Sequence, residues 1–95
     1  MTARAKLETA LENKCIEYAA TQGFLPLKAD KIKKGWPDHI FFGPNRIVLI
    51  AEFKRPGYKP KPKQKSIHRQ LARRGFPVHI VTLYADFVSL VASYR

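Results

Sequence analysis

The chain has 95 residues, enough for one small hydrophobic core, and we expect a single domain over residues 1–95. Its 18 Lys and Arg residues against 7 Asp and Glu residues give a formal net charge of +11, which favours nucleic acid as a partner over an anionic membrane. A single cysteine, Cys15, excludes an internal disulfide and a cysteine-based zinc site. No apolar run is long enough to span a membrane, and the N-terminal residues lack the apolar stretch of a secretion signal, so we expect a cytoplasmic protein.

Residues 4–22 are predicted to form a helix that ends at Gly23. Its apolar arc consists of Leu7, Leu11, Cys15, Tyr18 and Ala19. Glu8 and Glu12 fall inside this arc once Ile16 widens it, so both acidic side chains are predicted to lean inward. Most helical glutamates are solvated, because burial of a charge is unfavourable unless it is compensated.

The segments that follow favour strands. Residues 24–29 predict a first strand, which Pro26 places at a sheet edge. Residues 38–42 and 46–54 predict two more strands, and the Gly-Pro-Asn sequence between them is typical of a turn.

The second half of the chain predicts a helix, a strand and a helix. A Pro- and Lys-rich loop starts at residue 55 and leads to a helix over 64–74, followed by a strand over 78–83. Asp86 is predicted to cap the last helix, 86–94, which either covers the sheet or forms a dimer contact. The order α-β-β-β-α-β-α, with a crossover helix between the last two strands, predicts a parallel pair and an α/β or α+β fold, a small mixed sheet flanked by helices.

Two acidic residues and a lysine stand out in the predicted strands. Alternation along 46–54 puts Glu52 and Lys54 on one face, and Asp38 begins the preceding strand. If Phe42 lies opposite Val48, Asp38 lies opposite Glu52, whereas a slip of one residue sends the two carboxylates to different faces. A shared face would suit phosphodiester hydrolysis, with two carboxylates on a hard cation such as Mg²⁺ and an ammonium beside the phosphate. The alternatives are a simple Pro-Asp turn and a Glu-Lys ion pair at a sheet edge.

The wider context resembles the virus-type replication-repair nuclease (VRR-NUC) domain of the PD-(D/E)XK nuclease superfamily. The matching segments are GWPDHIFF, IAEFKRPG and the KPKQ that heads the next helix, and the resemblance runs from LENKCIEYAATQG to GFPVHIV. Pro37-Asp38 and Glu52-Phe53-Lys54 match the two superfamily motifs, and Arg55-Pro56-Gly57 matches the usual continuation. Gly35 matches the glycine two residues before the Pro-Asp pair. The loop after Gly57 departs from the pattern, because it is unusually rich in Lys and Pro.

The resemblance implies a residue set for a Mg²⁺- or Mn²⁺-dependent nuclease. Asp38, Glu52 and the backbone carbonyl of Phe53 would bind the metal. Glu12 would add a ligand directly or through water. Lys54 would be the catalytic lysine, and Gln64 would orient the lysine, the water or the phosphate.

Basic side chains near these motifs are predicted to contact DNA. Lys28 is a candidate phosphate contact, because members of the family often have a basic residue there. The others are Arg55, Tyr58, Lys59, Lys61, Lys63, Lys65 and Arg69. A solvated, flexible loop is the alternative for residues 58–65. His39 lies on the face opposite Asp38, and His68 and His79 lack partner spacing, so packing or surface roles are expected rather than zinc binding.

The resemblance also implies a partner and a setting. Stand-alone domains of this size look like homodimers that cut branched DNA such as Holliday junctions, in a bacterial or phage-infected cell. The alternative is a basic DNA-binding module that keeps the fold without hydrolysis and serves replication or repair. A membrane-surface protein would need a basic amphipathic helix with a bulky apolar face, which the sequence lacks.

Overall fold

A four-stranded sheet and three helices make up residues 3–94, the range that our computed structural model describes, with side chains from residue 7 onward. In chain order the elements are α1 (Ala3–Thr21), β1 (Leu25–Lys28), β2 (His39–Phe42), β3 (Val48–Phe53), α2 (Pro62–Arg73), β4 (Val78–Val81) and α3 (Tyr84–Ser93). This order and the mixed α+β class confirm the predicted fold. No helix in the described range is long and apolar enough to cross a membrane.

The sheet has the strand order β1-β2-β3-β4. The first two pairings are antiparallel, and β3 pairs with β4 in parallel after the crossover through α2, as predicted. β1 is an edge strand, which tolerates Pro26 because one side of the strand needs no hydrogen bonds to a neighbour.

The register between β2 and β3 decides where the candidate site residues lie. Phe42 pairs with Val48 and His39 pairs with Ala51, which confirms the predicted register. The turn is closed by a hydrogen bond from the Gly43 N–H to the Ile47 carbonyl, 2.7 Å long. A Cβ on Gly43 would lie 2.5 Å from the Phe24 ring, so this position needs glycine. Continued by one pair, the register places Asp38 opposite Glu52.

The main core lies between one face of the sheet and the layer formed by α1 and α3. Its largest side chains are Phe41, Phe53 and Phe87, which contact one another. Cys15 is buried in this cluster, in agreement with its place on the predicted apolar arc of the first helix. The outer face of the sheet is covered less completely.

The last helix covers the sheet, which is the simpler of its two predicted roles. Phe87 and Val91 are buried against the core. The predicted start at Asp86 is wrong, because the N–H groups of Asp86 and Phe87 already donate to the Leu83 carbonyl, and the helix begins at Tyr84. Asp86 instead lies in the first turn, where a negative charge interacts favourably with the helix dipole.

Candidate active site

An acidic cleft of about 220 Å³ lies beside the ends of β2 and β3. Its lining residues are Glu8, Thr9, Glu12, Lys28, Asp30, Asp38, Phe53 and Lys54. Four of the seven acidic residues of the chain are among them. The small negative charge of a strongly basic protein is therefore concentrated at one place.

Asp38 is held at the start of β2 by its backbone and by its side chain. Its carbonyl accepts a hydrogen bond from the Ala29 N–H at 2.9 Å, and its Oδ2 accepts one from the Phe53 N–H at 2.8 Å. Burial raises the pKa of Asp38, and the Phe53 N–H and the Lys54 charge offset this only in part. The carboxylate is thus fixed against the end of β3 with its negative charge incompletely compensated.

Glu52 is the most deeply buried acid of the site, with 1% of its surface exposed. Its Oε1 lies 3.8 Å from His68 Nε2, and its Oε2 has no hydrogen-bond partner among the described residues. Burial raises the pKa of Glu52, and the nearby negative charge of Asp38 raises it further, while the Tyr58 hydroxyl and Lys54 act in the opposite direction. A buried carboxylate with an unpaired oxygen is poorly accommodated in the protein alone.

This donor chemistry fits a hard divalent cation. Carboxylate oxygens are the ligands that Mg²⁺ prefers, and two such groups of like charge meet at the ends of β2 and β3. Within the described range, however, no three His, Cys, Asp or Glu side chains lie close enough together to hold a metal ion as a group. Glu12, the third predicted ligand, has partners of its own.

Glu12 projects inward from α1, as the helical pattern predicts. Its Oε2 lies 2.8 Å from Lys28 Nζ and 2.9 Å from His39 Nδ1. Burial alone would raise its pKa, but the hydrogen bonds and charges of these two partners lower the pKa of Glu12 to about 2. Lys28, a predicted phosphate contact, therefore forms an ion pair with Glu12 and lies 3.5 Å from Asp30 Oδ1.

Lys54 and Gln64 both contact Tyr58. The Lys54 backbone N–H donates to the Val81 carbonyl at 2.9 Å, and its ammonium lies 4.8 Å from the centre of the Tyr58 ring. Gln64 lies in the first turn of α2, where its Oε1 accepts hydrogen bonds from the Lys61 N–H at 3.0 Å and from the Tyr58 hydroxyl.

Sequence reasoning missed three neighbours of the site, namely Asp30, His39 and His68. The packing or surface role expected for His39 rests on its position facing away from Asp38, yet that face is covered by α1, which carries Glu12. An inward glutamate on the covering helix was the signal for this contact. His68 lies one helical turn after Gln64, so the helical spacing placed it on the same face.

The predicted DNA-contacting side chains differ in exposure. Lys28 and Tyr58 are half-buried and bonded within the site. The exposed ones are Arg55, Lys59, Lys61, Lys63, Lys65 and Arg69. Gly35 brings the preceding loop close to this basic surface: its φ is +90°, and a Cβ there would lie 3.0 Å from the Lys63 side chain. The positive φ explains why the chain has glycine at this position.

The comparisons with known proteins support the fold. A solved structure described as a VRR_NUC domain superposes with a TM-score of 0.82 at 24% identity, covering 94% of this chain and 98% of that chain. No protein-family model and no curated protein matches the sequence. The likeness to a VRR-NUC domain that the motifs indicate is thus confirmed at the level of the fold.

Proposed function

We propose that this chain is a Mg²⁺- or Mn²⁺-dependent DNA endonuclease that hydrolyses phosphodiester bonds. The observation that carries the proposal is the register of β2 and β3, which puts Asp38 opposite Glu52, with Lys54 lining the same cleft as Asp38. The VRR-NUC fold supports it, because Asp38, Phe53 and Lys54 of the two motifs line this cleft and Glu52 directly precedes Phe53 on β3.

The metal would be held by Asp38, Glu52 and the Phe53 carbonyl, and Glu12 would contribute directly or through water. When bound, the divalent cation polarises the phosphate and favours attack by water. The unpaired Oε2 of Glu52 supports this assignment, because a cation would compensate its buried charge. Lys54 stabilises the negative charge that develops on the phosphate, and Gln64 orients the reacting groups from α2.

The substrate in this proposal is branched DNA, such as a Holliday junction, and the active form is a homodimer. Symmetric cleavage of a junction needs two strand scissions. Each domain would supply one active site, so two domains are needed. The exposed Lys and Arg side chains around Lys61 support DNA binding, because their charges would pair with successive phosphates.

Cleavage assays with matched DNA substrates test the proposal. Purified protein is incubated with a four-way junction and with its separate linear arms, in Mg²⁺, in Mn²⁺ and in chelator. We expect metal-dependent cleavage that favours the junction. Lys54→Ala should bind DNA and metal but not cut, whereas Lys14→Ala, which removes the same charge from an exposed position on α1 outside the cleft, should cut normally.

A non-catalytic DNA-binding module is the second candidate. One observation favours it: Glu12 already forms an ion pair with Lys28 and lies 2.9 Å from His39 Nδ1, and no three potential ligands are grouped in the described range. DNA binding without cleavage of any substrate in either metal would select this candidate and reject the endonuclease.

A further inference from the structure

Tyr58 contacts three residues of the candidate site, none of which the sequence predicts as its neighbour. It lies in the loop between β3 and α2, where its hydroxyl bonds to Gln64 and interacts with the Glu52 carboxylate. The face of its ring lies under the Lys54 ammonium, 4.8 Å from the ring centre. One side chain thus links a proposed metal ligand, the proposed catalytic lysine and the glutamine of α2.

The partners of Tyr58 are themselves fixed. Gln64 Oε1 also accepts a hydrogen bond from the Lys61 N–H at the start of α2, and this defines which end of the amide faces the Tyr58 hydroxyl. On the other side, the Tyr58 N–H donates to the Arg55 carbonyl in the turn that follows Lys54. The tyrosine is therefore anchored at both ends of the loop.

No other residue of this loop has an aromatic ring that could hold the Lys54 ammonium. Residues 55–61 read RPGYKPK, so Tyr58 is their one aromatic residue, set among prolines, cations and a glycine. A lysine side chain has many rotamers, and holding its ammonium in one place loses conformational entropy. A cation over an aromatic face offsets part of that loss, more so where water is partly excluded.

We propose that Tyr58 is a positioning residue for the endonuclease, holding the Lys54 ammonium with its ring and the Gln64 amide with its hydroxyl. The inference rests on the proposed function and assigns Tyr58 a role in the chemical step. The prediction from sequence differs, because a DNA-contacting tyrosine would act on affinity.

Two substitutions separate the ring from the hydroxyl. Tyr58→Phe keeps the ring and removes the bond to Gln64, and Tyr58→Leu removes both. We expect the single-turnover cleavage rate of Tyr58→Leu to lie about 5- to 30-fold below that of Tyr58→Phe, because it also loses the ring contact. Loss of the hydroxyl alone should cost roughly 3- to 10-fold. DNA affinity, measured with Ca²⁺ in place of the active metal, should stay unchanged in both variants.

A metal-free measurement reports the contact directly. Protons over the face of an aromatic ring are shielded, so the Lys54 CεH₂ resonance, assigned by its loss in Lys54→Ala, should lie upfield in the wild type. It should stay there in Tyr58→Phe and move to an ordinary lysine position in Tyr58→Leu. Tyr84→Phe is the matched control, because Tyr84 also carries a lysine, Lys14, over its ring at 4.2 Å but lies between α1 and α3.

Three results would overturn the proposal. The first is a Lys54 resonance in a folded Tyr58→Leu variant that equals the wild-type one, and the second is wild-type cleavage by that variant. The third is a loss that lies wholly in DNA affinity, which would make Tyr58 a DNA contact. If the wild type cuts no DNA, the endonuclease falls with the positioning role, while the resonance still shows whether the ring holds Lys54.

Discussion

Replacement of Glu52 by glutamine should stabilise the metal-free protein while removing its response to metal. The Glu52 side chain is buried, and its Oε2 has no hydrogen-bond partner in the described range. A buried polar group left unpaired costs about 1–3 kcal/mol, and more if it is charged. Glutamine has nearly the same shape and no charge, so we expect the free energy of unfolding to rise by about 1–2 kcal/mol. For a domain of this size that corresponds to a Tm increase of roughly 5–15 °C.

The gain should depend on pH, with a sign that follows from the pKa. The pKa of Glu52 is raised in the folded protein, so folding favours the protonated carboxyl group. The penalty of the ionised form therefore grows as the pH rises from below 4.5 through the folded pKa, and it is complete once the pH exceeds that folded pKa. Glu52→Gln should differ most from the wild type near pH 7 and least below pH 4.

Thermal unfolding by circular dichroism, with chelator and with Mn²⁺, measures both effects. A cation at about 100 times its Kd stabilises the wild type by about 2.7 kcal/mol, and Glu52→Gln should lose most of this gain. Glu17→Gln is the control, because Glu17 is exposed on α1 and its replacement changes the net charge equally. Two results would refute the reasoning. One is a Glu52→Gln variant that is less stable than the wild type at pH 7 in chelator, and the other is a variant whose Tm rises in Mn²⁺ as much as the wild-type Tm does.

Three other predictions concern the surroundings of the cleft. Because the pKa of Glu12 is lowered to about 2, the wild type should lose about 2–3 kcal/mol of stability as the pH falls from 4.5 to 2, and urea titrations should show a smaller loss in Glu12→Gln. Gly35→Ala should destabilise the protein by about 1 kcal/mol, as expected for a positive φ, and Gly75→Ala, with a similar φ and open space, should cost the same in the same urea experiment, because the exposed Lys63 side chain can move away from an added Cβ. Lys65→Ala should weaken binding to all DNA sequences alike and reduce the slope of log K against log salt by about one.

The part of the site that the sequence predicts is the part governed by local periodicity. Alternation along β3 and a short turn at Gly43 allow few registers between β2 and β3. Asp38 and Glu52 share a face only if even-numbered residues pair with even-numbered ones. The inward position of Glu12 follows in the same way from the helical repeat of α1.

The contacts that escaped prediction join elements whose relative placement no local pattern defines. The approach of His39 to Glu12 depends on how α1 crosses the sheet. The ring of Tyr58 reaches Lys54 only because an irregular loop of prolines and lysines folds back onto the strand it leaves. Periodicity has no meaning in such a loop, so the sequence indicated Tyr58 only as a candidate DNA contact.

The unequal compensation of the three acids suggests which of them a cation would affect most. Glu12 has Lys28 and His39 beside it, and its lowered pKa shows that these partners outweigh burial. Burial and nearby negative charges raise the pKa values of Asp38 and Glu52, and their hydrogen bonds together with the Lys54 charge offset this only in part. A cation bound between Asp38 and Glu52 would gain the larger electrostatic benefit, whereas one bound directly to Glu12 would first have to displace an ammonium at 2.8 Å. Of the two ways in which Glu12 is proposed to contribute, directly or through water, this charge balance favours the one through water.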